Sequence, residues 1–524
     1  MGRSSCFLRH IFRKIIIGLV PNLEKNVLNY AIPQVCYIIA AKFIGPFLTL
    51  SLRCPILRRI SQFCKQLFNE SPATENHQNS ENSSGLTLEV VLRDKHNISR
   101  RQISENALKV LYRLHKSGFK AYLVGGGVRD ILLGLKPKDF DVVTNAKPEE
   151  IKRLFRNCRL VGRRFRLAHI VFGRDVIEVA TFRGHHNADK NANISKSNSE
   201  GRLLRDNVYG TIDEDAERRD FTVNALYYDI SDFSIRSYGG GLKDLNNGII
   251  RMIGDPETRY REDPVRMIRA VRFASKLNMS IDKETSRPIK ALAPLLQDIP
   301  AARMFEEVLK MFFSGKAIDN YHLMQQYGLF EPLFPQITKS MQDDNDDYLK
   351  KMVEQTLHNT DARIRQEKSV TPAFFYAAML WYPLQQKAQD IVLESGLSLY
   401  DAFVTAMADV MEEQCRTIGI PRRFSTITKD IWQLQLRLEK NQGMRAFKLI
   451  EHPKFRAAYD LLQLRGTIES DNVTTVANWW KSFVNADEEE RLHIARKANR
   501  SQPKRNGQRR KRRTKPKAKP QQND

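Results

Sequence analysis

Apolar residues along this chain recur in two rhythms, and the change from one to the other falls near residue 255. Upstream, Ala107, Leu108, Leu111 and Leu114 sit at helical spacing behind a capping Ser104, and Gly118 ends that helix. Short apolar runs that suit strands follow at Ala121–Val124, Asp139–Val143, Arg159–Val161, His169–Phe172, Val176–Phe182 and Ile249–Ile253, with Leu226–Ile230 and Ser234–Tyr238 as a hairpin. Helical stretches at Val128–Leu133, Pro148–Phe155 and Glu214–Ala225 lie between them, the first stopped by Gly134 and Pro137. Past Asp255, apolar positions return every three or four residues, as in Pro264–Leu277, Met304–Ser314, Pro372–Leu384 and Phe455–Leu464. No convincing strand run interrupts them. The pattern predicts an α+β head on a small mixed sheet, followed by an all-α neck and body.

Composition sharpens the boundaries. At 524 residues the chain exceeds one domain. Residues 71–85 and 187–201 are polar and poor in apolar side chains, which predicts a disordered linker and a loop. Lys and Arg number 85 against 60 acids, a formal charge of +25 that favours a polyanionic partner. Thirteen of those bases fall between Arg496 and Lys519 with no acid among them, so about half of the excess sits in one tail. The expected division is therefore an N-terminal extension and linker (1–85), the head (86–255), a helical neck (256–330), a helical body (331–490) and a disordered basic tail (491–524). Six cysteines form no CxxC pair and no Cys/His cluster, which argues against structural zinc and against a disulfide framework. That usage suits the cytoplasm. Residues 1–70 carry Arg3, Arg9, Arg13 and Lys14, then an apolar run from Tyr30 to Leu52 broken by Pro33, Lys42 and Pro46. A mid-span lysine and two prolines make a poor membrane span. Two readings stand: a peripheral anchor at the inner membrane, or a non-native extension from an over-early start codon.

Candidate chemistry concentrates at Ala121–Val143, AYLVGGGVRDILLGLKPKDFDVV. Gly125, Gly126 and Gly127 form a turn whose backbone can approach a phosphate closely. A helix N-terminus follows, which attracts anions through its free N–H groups, and Arg129 could add charge there. Asp130 is expected to anchor the loop. Asp139 and Asp141, two apart on a strand, point to one face, where they repel each other unless a cation sits between them. A phosphate cradle beside such a pair suits metal-dependent nucleotidyl transfer.

The segment LVGGGVRDILLGLKPKDFDVVT resembles the head-domain motif of the class II nucleotidyltransferases of the polymerase-beta superfamily, which contains the bacterial poly(A) polymerases and the tRNA CCA-adding enzymes. The similarity continues through RRDFTVNALYYDI, GGLKDLNNGIIRMIGDP and REDPVRMIRAVRFA, densely over Ile103–Pro335 and loosely to Ala486. It implies a polymerase-beta-like head, ATP as substrate, two Mg²⁺ ions on Asp139 and Asp141, and a third acidic group. Asp220 matches the RRDF aspartate, with Glu178 as its competitor for metal contact, and Arg219 joins the nucleotide site. Glu262-Asp263-Pro264-Val265-Arg266 matches the EDxxR motif that selects the nucleotide. Asp263 as N-cap and Arg266 three residues on would present an acceptor and a forked donor to a base edge.

The Arg163, Arg164 and Arg166 cluster in RLVGRRFRLAHI resembles the poly(A) polymerases, where CCA-adding enzymes tend to be less charged. The tail, including Arg509, Arg510, Lys511, Arg512 and Arg513, holds no apolar residue except Ala518 within QRRKRRTKPKAKP and reads as an RNA-binding polycation. The resemblance thus implies template-independent polyadenylation of RNA 3′ ends (mRNA, small RNA and tRNA), marking RNA for decay and working beside the decay machinery. CCA addition to tRNA is the alternative within the same superfamily. A non-catalytic RNA-binding protein is the alternative outside it, and one that leaves the carboxylates without a purpose.

Overall fold

The computed structural model describes residues 80–81, 85–162, 166–184, 195–197, 203–206, 208–342, 347–440, 443–469 and 471–501. The chain divides into two units, Met1–His77 and Gln78–Asp524. The first lies outside the described residues, and with it the expected N-terminal anchor or extension. Among the described residues, no helix is long and apolar enough to cross a membrane.

The head is a nine-stranded sheet of β1 (Ser80–Glu81), β2 (Thr87–Val91), β3 (Ala121–Val124), β4 (Asp141–Thr144), β5 (Cys158–Val161), β6 (Leu167–Phe172), β7 (Asp175–Thr181), β8 (Leu226–Asp229) and β9 (Ile235–Tyr238), in the order β1-β2-β9-β8-β3-β4-β7-β6-β5. β4 and β7 pair in parallel, and the other neighbours pair antiparallel. The expected mixed sheet is present, and it is larger than its short runs suggested. Alternation divides its two faces. Leu123, Val142, Ile177 and Val179 enter the main core with α1 (Glu105–Lys116), while Tyr122, Val124, Val143 and Tyr227 build a smaller cluster on the other face.

Two expectations in the head need correcting. The strand begins at Asp141 rather than Asp139, because Asp141 pairs with Val124 and beyond Val124 the partner strand has already turned into the glycines. The helix expected over Glu214–Ala225 covers only Ile212–Glu217, and a single 3₁₀ turn follows at Thr222–Asn224. Between them Phe221 is fully buried and bridges to Met252, which pulls Asp220 out of helical geometry.

Behind the head the described chain is helical except for a two-residue strand, Ser280–Ile281, which pairs in parallel with Ile249–Ile250, all that forms of the strand expected over Ile249–Ile253. After α2 (Gly126–Leu132), α3 (Pro148–Leu154) and α4 (Ile212–Glu217) come α5 (Pro256–Glu262), α6 (Val265–Leu277) and α7 (Ala301–Phe312). Helix α6 buries Val265, Met267, Ile268, Ala270, Val271, Phe273 and Ala274, more than one face, so it is enclosed where head and body share one apolar cluster. The body includes α8 (Trp381–Ser395), α9 (Leu399–Thr417), α10 (Arg422–Lys440), α11 (Phe455–Gly466), α12 (Asp471–Asn485) and α13 (Glu488–Ser501), so residues 491–501, expected to open a disordered tail, instead complete a helix. Of its fully buried tryptophans, Trp432 donates to the Ala377 carbonyl at 2.9 Å and Trp480 to the Leu438 carbonyl at 3.0 Å, while the Trp381 indole N–H is buried without a hydrogen-bond partner.

Candidate active site

The glycine turn and the acidic pair are locked to each other by close approach. Gly125 has φ +68°, and a Cβ there would come within 3.3 Å of the Arg219 guanidinium. At Gly127 a Cβ would meet the Asp139 carbonyl oxygen at 3.4 Å and the Phe140 ring at 3.6 Å. The missing side chain therefore lets the Asp139–Phe140 loop lie against the first turn of α2, whose leading N–H groups have no helical acceptor.

Asp139 and Asp141 are both exposed. Parallel pairing sets Glu178 directly beside Asp141 on the same face, and His169 on β6 reaches the Glu178 carboxylate at 3.4 Å. Asp141 keeps an open edge, yet its carboxyl is pushed up to about 6, first by partial desolvation and then by the charges of Glu178 and Asp139, with Arg219 opposing. Asp141 and Glu178, adjacent across the β4–β7 ladder and coupled to Asp139, offer the oxygen donors a hard divalent cation takes, although among the described residues no three acidic or histidine side chains converge closely enough to enclose one.

Asp220 is built differently. Its Oδ1 accepts from the Phe221 N–H and from Asn224 Nδ2, each at 2.9 Å, and its Oδ2 accepts from Arg269 Nε at 2.8 Å and from Arg269 Nη2. Burial opposes its charge, but the Arg269 guanidinium and these hydrogen bonds hold it well below the usual carboxylate range. With all four bonds committed to protein, Asp220 clamps the Arg218–Asn224 segment to α6. Glu178 is the carboxylate that faces Asp141.

Arg129 is likewise committed within the protein. It is 2% exposed, bonds Asp130 through Nε and Nη2 and Asn224 Oδ1 through Nη1 at 2.6 Å, and lies 5.1 Å from the Phe273 ring centroid. The expected charge donor beside the glycines is thus a buried strut, with Asp130 as its anchor. Arg219 takes the position instead. It donates to Tyr227 at 2.7 Å and to Asp215 at 3.1 Å, stays partly exposed, and influences Asp141 electrostatically. Asn224, which joins Asp220 to Arg129, carried no sequence signal beyond its place in the RRDF segment.

In the neck, Asp263 is not the N-cap of α6. It follows the last residue of α5, and Pro264 occupies the cap. Its Oδ2 pairs with Arg303 of α7 at 2.7 Å, while its Oδ1 is buried without a partner. Arg266 uses Nη1 for the Arg259 carbonyl (2.7 Å) and for Glu262 (2.9 Å). Glu262 also accepts from Arg259 at 2.8 Å, so it orients the two arginines. Asp263 and Arg266 are therefore held by separate anchors, and a buried acceptor is left over. Arg303, forty residues downstream, could not be found from the motif.

Residues 121–251 match the family described as the Poly A polymerase head domain, 278–341 match the probable RNA and SrmB-binding site of polymerase A, and 395–517 match the polymerase A arginine-rich C-terminus. Poly(A) polymerase I of Salmonella typhimurium is 56% identical over 427 residues, which covers 81% of this chain and 91% of that one. This chain belongs to the poly(A) polymerase family. A CC-adding tRNA nucleotidyltransferase of Halalkalibacterium halodurans is 35% identical over 238 residues, 45% of this chain and 56% of its own. A solved tRNA-processing enzyme in an apo form aligns with 74% of this chain and 99% of its own at 22% identity and a TM-score of 0.49.

Of the RNA-contact residues expected for this poly(A) polymerase family member, Arg163, Arg164, Arg509, Arg510, Lys511, Arg512 and Arg513 lie outside the described residues. Arg166 is exposed and pairs with Glu149 at 2.7 Å. It borders a cavity of about 830 Å³ shared with Lys152 and Arg153 of α3, two bases that stand outside every motif of the sequence.

Proposed function

We propose that this poly(A) polymerase family member extends RNA 3′ ends with AMP from ATP without a template, releases pyrophosphate, and so marks RNA for decay. The observation that carries the reading is Asp141 beside Glu178 on the β4–β7 ladder, electrostatically coupled to Asp139 and Arg219, with the Asp139 backbone lying against Gly127 of the glycine turn. In the reaction, the 3′ oxygen of the RNA bonds to the α-phosphorus and the bond from that phosphorus to the bridging oxygen breaks. Asp139 and Asp141, with Glu178 beside them, would hold two Mg²⁺ ions, which supply activation of the attacking oxygen and neutralisation of the leaving one.

The chain's own groups do the rest. The Gly125–Gly126 backbone and the start of α2 receive the triphosphate. Arg219 adds a cation whose hydrogen bonds to Asp215 and Tyr227 fix it in place. Asp263 Oδ1, buried and without a partner, is the acceptor the exocyclic amine of the base would meet once the site is uncovered, and Arg266, whose Nη1 is held by the Arg259 carbonyl, would donate to the adjoining ring nitrogen through its remaining N–H groups. Asp220 and Arg129 act by position, tying the glycine turn to α6 through Asn224. In this reading the head carries out transfer, the neck chooses the nucleotide, and the body and tail capture RNA.

The deciding experiment supplies an unstructured RNA and each nucleoside triphosphate separately. A long ladder with ATP and little extension with CTP is expected. Addition of two C and one A to a tRNA lacking its end, with no ladder on generic RNA, would overturn the proposal in favour of CCA addition.

A further inference from the structure

Large apolar side chains left exposed are not scattered evenly over the described residues. Leu393, Leu397, Leu399, Tyr400 and Val404 are exposed by 84, 43, 57, 51 and 39%, five within twelve residues. Helix α8 ends at Gly396 with φ +66°, and Ser398 caps α9 by accepting from the Asp401 N–H at 3.2 Å, so this is the tip of a tight helical hairpin. The inward face of α9 is already satisfied by buried Ala402, Phe403, Ala406, Met407 and Val410. Tyr400 and Val404, one turn apart, lie on its outward face, with Leu397 and Leu399 at its start and Leu393 on the last turn of α8. Exposed apolar side chains gathered this way mark a contact surface more often than chance exposure.

The charge around the patch identifies what it can accept. From Asp390 to Glu413 the chain has six acids (Asp390, Glu394, Asp401, Asp409, Glu412 and Glu413) and no Lys or Arg, in a protein of net charge +25. All six are exposed. An acidic rim repels RNA phosphate and anionic lipid headgroups. It also opposes a second copy of itself, since a twofold contact would set the acids against each other. The chain's own basic tail has the right charge, but in QRRKRRTKPKAKP it offers nothing apolar beyond Ala518 to cover five large side chains.

We propose that the α8–α9 tip is a docking surface for another protein. The occupant is an amphipathic helix that lays leucine-sized residues at i, i+3 and i+4 spacing across Leu397, Leu399, Tyr400 and Val404, with Lys or Arg flanking them against the acidic rim. The surface is small, so the contact is of the micromolar, exchangeable kind. Because the rim excludes RNA, the partner is held while RNA occupies the basic surfaces, which makes the contact a tether near RNA ends.

The test uses the full chain and two labelled 18-residue helical probes, one of Leu and Lys and one of Leu and Glu, read by fluorescence anisotropy at low and high salt. The Leu/Lys probe binds the wild-type protein at least 10-fold more tightly than it binds the Leu393→Ser, Leu399→Ser, Val404→Ser triple variant, and far more tightly than the Leu/Glu probe binds. Asp390→Lys, Glu394→Lys, Asp409→Lys reverses the preference between probes. Neither variant changes the melting temperature or AMP incorporation into a free oligonucleotide, because the altered side chains point to solvent. Equal Leu/Lys binding by the wild type and the serine variant would overturn the proposal. So would cross-linking of a photoreactive RNA to residues 393–404, or a dimer of the wild type that the serine variant loses.

Discussion

Replacing Asp141 with Asn separates the two consequences of crowding carboxylates. The carboxyl of Asp141 rises from the ordinary 3.8 to about 6, through partial desolvation and through Glu178 and Asp139. A shift of about two pKa units corresponds to about 3 kcal/mol in the absence of screening. The side chain keeps an open edge to solvent, so water screens a good part of this, and about 1 kcal/mol is a fair expectation. The sign follows from proton binding. The folded protein holds this proton more tightly than the unfolded chain, so stability is full below about pH 4, is lost as pH rises toward 6, and stays reduced at neutrality.

Asp141→Asn removes the charge and keeps the shape. In EDTA at pH 7.5 it should melt slightly higher than wild type, and the difference should vanish near pH 4. Adding Mg²⁺ should stabilise wild type by about 1.4 kcal/mol at ten times the dissociation constant. The Asn variant should show little of that shift and no AMP incorporation. Differential scanning fluorimetry across pH, with and without Mg²⁺, supplies the stability readouts, and gel analysis of extended RNA supplies the last. A variant that melts lower than wild type in EDTA, or that keeps the full Mg²⁺ shift, refutes the cation-site argument.

Asp220→Asn should behave in the opposite way, losing stability because Arg269 is left without its carboxylate. Breaking a largely buried pair costs about 3–5 kcal/mol, and partial exposure of the Arg269 side chain (33%) places the loss toward or below the lower end. A drop in melting temperature together with reduced activity checks it, and an unchanged melting temperature would make Asp220 a candidate metal ligand again. Arg266→Ala should lower discrimination between ATP and other nucleotides by about 1–3 kcal/mol, the worth of one bidentate base contact, measured as ratios of kcat/KM. Deleting residues 502–524 should flatten the salt dependence of RNA binding by a log–log slope of about 3.5 if about five phosphates are covered, while leaving the KM for ATP nearly unchanged. A filter-binding titration with an unaltered slope would remove the tail from the RNA contacts.

The sequence alone determined what depends on local spacing and on residue chemistry. The two apolar rhythms separated the sheet-bearing head from the helical remainder because strand and helix periods differ along the chain itself. The glycine run, the DFD pair and the EDPVR motif were legible for the same reason, since each is a contiguous arrangement whose chemistry needs no distant partner. Tertiary structure decided which polar groups are left to act. Arg129 and Asp220 looked like ligand contacts, yet Asn224, Asp130 and Arg269 absorb their hydrogen bonds. Glu178 looked secondary until parallel pairing of β7 with β4 set it beside Asp141. Asp263 looked like a cap, and α7 brought Arg303 to one of its oxygens while leaving the other buried and bare. A side chain's availability is set by what packs against it from elsewhere in the chain, and where those partners are distant in sequence only the fold brings them together.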